Sequence, residues 1–148
     1  MADPSEPLTR IAEALQRLAP APAPATDWLP APAYLWAGRE GRPIARIVAP
    51  PLALLKGIDG QKEAARENIA RLAAGHAAHD MLLWGARGMG KSALVRAAVL
   101  AAQAEAPGRL ALVQAGTDAL DTLPALFADL GPVEGNFLVY IDDLGFCE

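Results

Sequence analysis

Apolar positions along this chain follow two rhythms, and each predicts a different kind of element. Short, largely apolar runs recur at 81–84, 110–114 and 137–141, each bounded by turn residues. Such continuous runs predict strands buried on both faces of a sheet. Helical stretches, 91–105 and 122–130, lie between them, and Pro107-Gly108 and Gly131-Pro132 punctuate the series. The resulting alternation of strand and helix predicts an α/β core with a parallel sheet, right-handed crossovers and helices on both faces. Thr122 is expected to cap the second of these helices, with Pro124 tolerated in its first turn.

Ahead of this core the pattern changes. Residues 60–74 read as a helix with Asp59 as N-cap and Gly75 as the stop, and Ile58, Ala65, Ile69 and Leu72 are expected to face inward. Residues 34–36 and 44–48 flank a glycine-rich turn at 38–43, which predicts a β-hairpin. Residues 19–32 alternate alanine with proline and predict an extended, semi-rigid spacer. Leu8, Ile11, Leu15 and Leu18 then place a short helix over 7–18, which either docks on a partner or lies on its own domain; the second is the favoured reading. The organisation is therefore 1–32 helix and Ala/Pro linker, 33–56 hairpin and connection, and 57–148 core.

Composition narrows the function classes. A length of 148 residues suffices for one hydrophobic core, and a net charge of −4 argues against a dominating nucleic-acid footprint. No apolar stretch approaches a membrane span, and no basic start with an apolar core marks a secretory signal, so the chain reads as cytoplasmic. The single cysteine, Cys147, leaves no disulfide framework. His76 and His79 sit in a polar connection without the neighbours a metal site needs, and read as loop residues. Arg39, Arg42 and Arg46 on the hairpin could meet an acidic partner, but a solvated face is the simpler account. Asp118 and Asp121 receive no role beyond solvated loop acids.

The run Gly85-Ala86-Arg87-Gly88-Met89-Gly90-Lys91-Ser92 changes the picture most, because it fits GxxxxGK[ST] between a predicted strand and a predicted helix. A chance glycine-rich turn would show the same letters, but its flanks favour a P-loop. In that motif the glycines let backbone N–H groups and the positive end of the following helix, here opening with Lys91, Ser92 and Ala93, face a polyphosphate. Lys91 would reach the β- and γ-phosphates and the Ser92 hydroxyl would bind Mg²⁺. The strand 137–141 leads into Asp142-Asp143, the pattern of a Walker B segment. Asp142 would share the Mg²⁺ with Ser92, and Asp143 would orient or deprotonate an attacking water.

From about residue 34 to 148 the chain resembles the AAA-type P-loop ATPases gathered as the domain-of-unknown-function 815 family (DUF815). The matching motifs are Gly57-Ile58-Asp59-x-Gln61-Lys62-Glu63, Leu82-Leu83-Trp84-Gly85-Ala86-Arg87-Gly88-x-Gly90-Lys91-Ser92 and Asp142-Asp143-Leu144-x-Phe146-x-Glu148. The resemblance implies a P-loop NTPase three-layer sandwich and ATP rather than GTP, with Gly57 and Ile58 beside the base. Two departures are Met89, where threonine is usual, and Gly145, where serine is common; a backbone cradle tolerates the first. Family members continue through two further strands, so this chain reads as their N-terminal portion, truncated after Walker B. The resemblance further implies a strand inserted between 81–84 and 137–141. Direct pairing of those two segments would instead resemble P-loop kinases and GTPases.

The expected function is thus Mg²⁺-dependent ATP binding, with hydrolysis coupled to remodelling of an unknown protein partner, and possible ring assembly, in the longer form. A non-hydrolysing, nucleotide-dependent interaction module is the alternative, and a P-loop kinase is a more distant one.

Overall fold

The computed structural model describes residues 5–18, 25–28 and 30–142. Asp143, Gly145 and Cys147, and the spacer residues 19–24, lie outside the described residues, as do the side chains of Leu8 and Leu18. The order along the chain is α1 (Ser5–Leu18), β1 (Ala33–Trp36), β2 (Gly41–Ile44), a 3-10 turn (Leu52–Leu54), α2 (Asp59–Ala73), α3 (Lys91–Glu105), β3 (Leu110–Ala115), a second 3-10 segment (Thr117–Thr122), α4 (Leu123–Leu130) and β4 (Asn136–Ile141).

Four strands form one mixed sheet in the order β2-β1-β3-β4. β3 runs parallel to both β1 and β4, with Val113 opposite Tyr34 on one side and Val139 on the other. The alternation of side chains along each strand sorts the core into two layers. Leu110 and Leu112 of β3, with Leu138 and Tyr140 of β4, face a cluster built from Ala65, Ile69 and Ala73 of α2 and Leu94, Val95, Ala98, Val99 and Ala102 of α3. The spacings i, i+4, i+8 on α2 and i, i+1, i+4, i+5, i+8 on α3 give each helix one apolar stripe, and the alanines let the two approach closely. Ala111, Val113 and Ala115 point the other way, onto Leu126 and Leu130 of α4 and an aromatic group.

That aromatic group contains a residue the sequence pattern hides. Trp28 lies in the stretch read as a spacer, yet it is 4% exposed. Its ring sits 4.9 Å from Tyr34, 6.3 Å from Trp36 and 6.1 Å from Phe137, centroid to centroid. Trp28 therefore belongs to the packed body. Gly41 accommodates it: a Cβ there would stand 2.4 Å from the Trp28 ring.

Several expectations need correction. The hairpin exists, but its second strand is Gly41–Ile44 rather than 44–48, because Trp36 pairs with Gly41 and Ala33 with Ile44. β1 also pairs with β3, so the hairpin is part of the main sheet. Asp59 is the first residue of α2 rather than its cap; Ile58 occupies the cap position, and Asp59 instead pairs with Lys62. Gly75 does end α2, in a left-handed conformation (φ 77°), with its N–H and that of His76 closing onto Leu72 and Arg71 carbonyls. Thr122 precedes α4 without capping it: its hydroxyl donates to the Ala119 carbonyl (2.6 Å) and accepts from the Trp36 indole (2.8 Å). Ile11 and Leu15 of α1 are exposed, so these two do not bury themselves against the domain.

The largest correction concerns 81–84, which is not a strand. A strand needs a ladder partner, and 81–84 pairs with none: the order β2-β1-β3-β4 leaves β4 at an edge, with β3 as its one neighbour among the described residues. Leu83 packs on the α2–α3 cluster while Leu82 and Trp84 are exposed. The direct pairing of 81–84 with 137–141 is therefore not present. No helix among the described residues is long and apolar enough to cross a membrane.

Candidate functional site

The arrangement of α3 against the sheet decides where the candidate residues meet. At the C-terminal end of α3, the Gln103 amide donates to the carbonyls of Pro32 (2.8 Å) and Leu110 (2.9 Å), at the starts of β1 and β3. The helix thus runs antiparallel to the strands, and its N-terminus lies at the strands' C-terminal ends, where Asp142 leaves β4. Ser92, in the first turn of α3, donates to Asp142 there, with its Oγ 2.9 Å from Oδ1 and 3.0 Å from Oδ2. Residues fifty positions apart in sequence are joined by this contact.

The loop preceding α3 turns on glycines in conformations that L side chains rarely adopt. Gly85, Gly88 and Gly90 have φ of 139°, 82° and 86°. A Cβ added at any of the three would meet nothing within 4 Å, so the loop is open on its outer side. Ala86, Arg87 and Met89 complete it and are exposed, and the Met89 N–H closes a turn onto the Ala86 carbonyl at 3.4 Å. Lys91 folds back across the loop, its Nζ donating to the carbonyls of Gly85 (2.9 Å) and Ala86 (3.0 Å). Ala93 is half-buried in the first turn of α3. The N-terminal N–H groups of a helix, with an ammonium beside them, make a region of positive potential on an otherwise acidic chain.

Tyr140 is a third member of the Ser92–Asp142 group, and the sequence reading passed it over. Its phenol oxygen lies 2.8 Å from Asp142 Oδ1 and 3.1 Å from Ser92 Oγ. The signal was available: Tyr140 and Asp142 are two apart on a strand, so they share a face. Burial and the adjacent Asp142 carboxylate push the Tyr140 phenol above its ordinary value, against the opposing effects of the Ser92 hydrogen bond and the Arg96 charge. The phenol is therefore a proton donor at neutral pH. Arg96, one turn beyond Ser92, has a buried Nε without a hydrogen-bond partner among the described residues.

Other candidate residues stand apart from this group. Gly57 (φ 77°) and Ile58 lead into α2, and Ile58 packs on the α2–α3 core; neither takes part in the Lys91 or Ser92 contacts. His79 is held through its backbone by the Asn68 side chain, which donates to its carbonyl (2.7 Å) and accepts from its N–H (2.8 Å). Arg39, Arg42 and Arg46 are exposed, and Arg42 pairs with Glu40 at 2.9 Å. Asp118 and Asp121 are exposed as well. Among the described residues no three His, Cys, Asp or Glu side chains cluster in a way that could hold a metal ion by themselves.

No curated protein and no solved structure matches the chain. A family model does, over residues 30–148, a span that begins just before β1 and includes every element discussed above except α1. The chain belongs to the DUF815 family, described as a protein of unknown function.

Proposed function

We propose that this chain binds ATP with Mg²⁺ at the N-terminus of α3. The Ser92–Asp142 contact is the observation that carries this reading, because it joins the end of the glycine-rich loop to the acid that follows β4. An alcohol and a carboxylate are hard oxygen donors suited to Mg²⁺, which commonly takes one or two protein ligands and completes its shell with water and phosphate oxygens. Bound Mg²⁺ would neutralise charge on the β- and γ-phosphates. The open glycine loop would supply backbone N–H groups to the phosphates, and Lys91 would exchange its two carbonyl contacts for a phosphate oxygen. Gly57 and Ile58 are the segment proposed for the base.

Hydrolysis, in the longer form alone, is the further part of the proposal. It assigns Asp143 to orient the water, with remodelling of a protein partner as the work performed in an AAA-type assembly.

A thermal-shift titration with ATP and Mg²⁺ tests the binding step. A saturable rise in Tm that Lys91→Ala abolishes supports it, since a ligand selective for the folded state stabilises by mass action. A Tm that ATP does not move contradicts it. GTP run alongside tests the choice of base, and phosphate release lost in Asp143→Asn tests turnover.

A further inference from the structure

We infer that Tyr140 is a positioning residue that holds the Asp142 carboxylate for the metal, and so sets how strongly nucleotide binding depends on Mg²⁺. The inference rests on the nucleotide reading above. Its geometry is a three-membered group with two protons and four short contacts. Ser92 Oγ is 2.9 and 3.0 Å from the two carboxylate oxygens, and the Tyr140 phenol is 2.8 Å from Oδ1 and 3.1 Å from Ser92 Oγ. Asp142 has no proton to give when ionised, so the two hydroxyls supply both. The best division sends the phenol proton to Oδ1, the shortest contact, and the serine proton chiefly to Oδ2. Asp142 is then gripped at both oxygens from two different elements, β4 and α3.

That division leaves a lone pair of Ser92 Oγ available to a cation while the hydroxyl goes on donating to Asp142. The phenol need not leave when the metal arrives, and it restrains the carboxylate against rotation. Removing a group that holds a metal ligand in place typically costs about 10–100-fold in metal affinity. Tyr140 is suited to this by placement: its ring is half-buried against the α2–α3 cluster, and Asp142 follows on the same face of the strand. A flexible donor at the same point would lose more freedom on forming the contact.

The test compares wild type with Tyr140→Phe, which keeps the ring and removes the donor. ATP affinity is measured by calorimetry twice for each protein, in Mg²⁺ and in EDTA. The expected result is a loss of about tenfold in Mg²⁺ with no change in EDTA. Equal affinities of the two proteins in Mg²⁺ overturn the inference while leaving the nucleotide reading intact, and so does an equal loss in both conditions, which marks a general structural role. Failure of wild type to bind ATP at all removes both. A second measurement uses wild type alone, labelled with ¹³C at the tyrosine Cζ; the chain has two tyrosines, and Tyr34 lies in the other core layer. Adding Mg²⁺ to the ATP-bound protein should move the Tyr140 signal and leave Tyr34 in place. A stationary Tyr140 signal contradicts the inference whether or not the variant folds.

Discussion

Residues 81–84 and 137–141 look alike as text, since both are short apolar runs leading into a candidate phosphate or metal residue, yet only the second is a strand. β4 has β3 beside it, pairing from Asn136 with Leu110 through Ile141 with Ala115. The 81–84 segment has no ladder among the described residues, and although Leu83 reaches the core, Leu82 is 71% and Trp84 88% exposed. An apolar run makes a segment eligible for a sheet; membership depends on a partner elsewhere in the chain. The consequence for the site is asymmetric. Asp142 is placed by a paired strand, whereas the glycine loop is preceded by a segment outside the sheet and is tied to α3 by the Lys91 contacts.

The sharpest way to break this comparison is to truncate one apolar side chain in each kind of segment. Leu112 is fully buried at the centre of the sheet, and Leu112→Ala should cost about 3 kcal/mol by denaturant unfolding. Leu82→Ala should stay within about 0.5 kcal/mol of wild type. Similar losses at both positions would show that 81–84 is packed after all. A smaller effect is expected at the opposite edge of the sheet, where Gly41→Ala forces a methyl against Trp28 and should cost about 1–3 kcal/mol. A neutral outcome there would mean that Trp28 is not seated on β2.

Fluorescence gives a gentler form of the same contrast. Trp28 and Trp36 are 4% and 3% exposed, so acrylamide should quench chiefly Trp84, and Trp84→Phe should remove most of the quenchable emission. The smallest effect belongs to an exposed pair on α2. Arg66, which bonds the Glu63 carboxylate, holds that carboxyl below its ordinary value. A lowered folded-state value means stabilisation present at neutral pH and lost as the pH falls through that value. Glu63→Gln should therefore lower Tm slightly at neutral pH and not in strong acid. Both side chains are largely solvated, so the change should be barely measurable.

The parts of the fold legible in the sequence are those set by local periodicity. α3 has the predicted bounds, and β3 and β4 lie within one residue of theirs, because a long apolar stripe and continuous apolar runs leave little choice of phase. The parts that were not legible depend on contacts between distant residues. β2 shifts toward the turn because its register is fixed by Trp36 opposite Gly41, with Trp28 against Gly41 and the Gly41 N–H donating to Thr26 Oγ1 at 2.8 Å. Trp28 itself lies between two alanine- and proline-rich stretches, and nothing local says that three aromatic rings await it. Within the site, the meeting of Ser92 and Asp142 follows from a motif pair, whereas Tyr140 needed the two-residue period of β4 to be followed up to the acid.

The most direct test of the central claim is a calorimetric titration of ATP with Mg²⁺ into this chain and into its Lys91→Ala variant. The account predicts one saturable site in the first and none in the second. Absence of binding by the wild-type chain, or undiminished binding by the variant, would contradict a phosphate site at the start of α3.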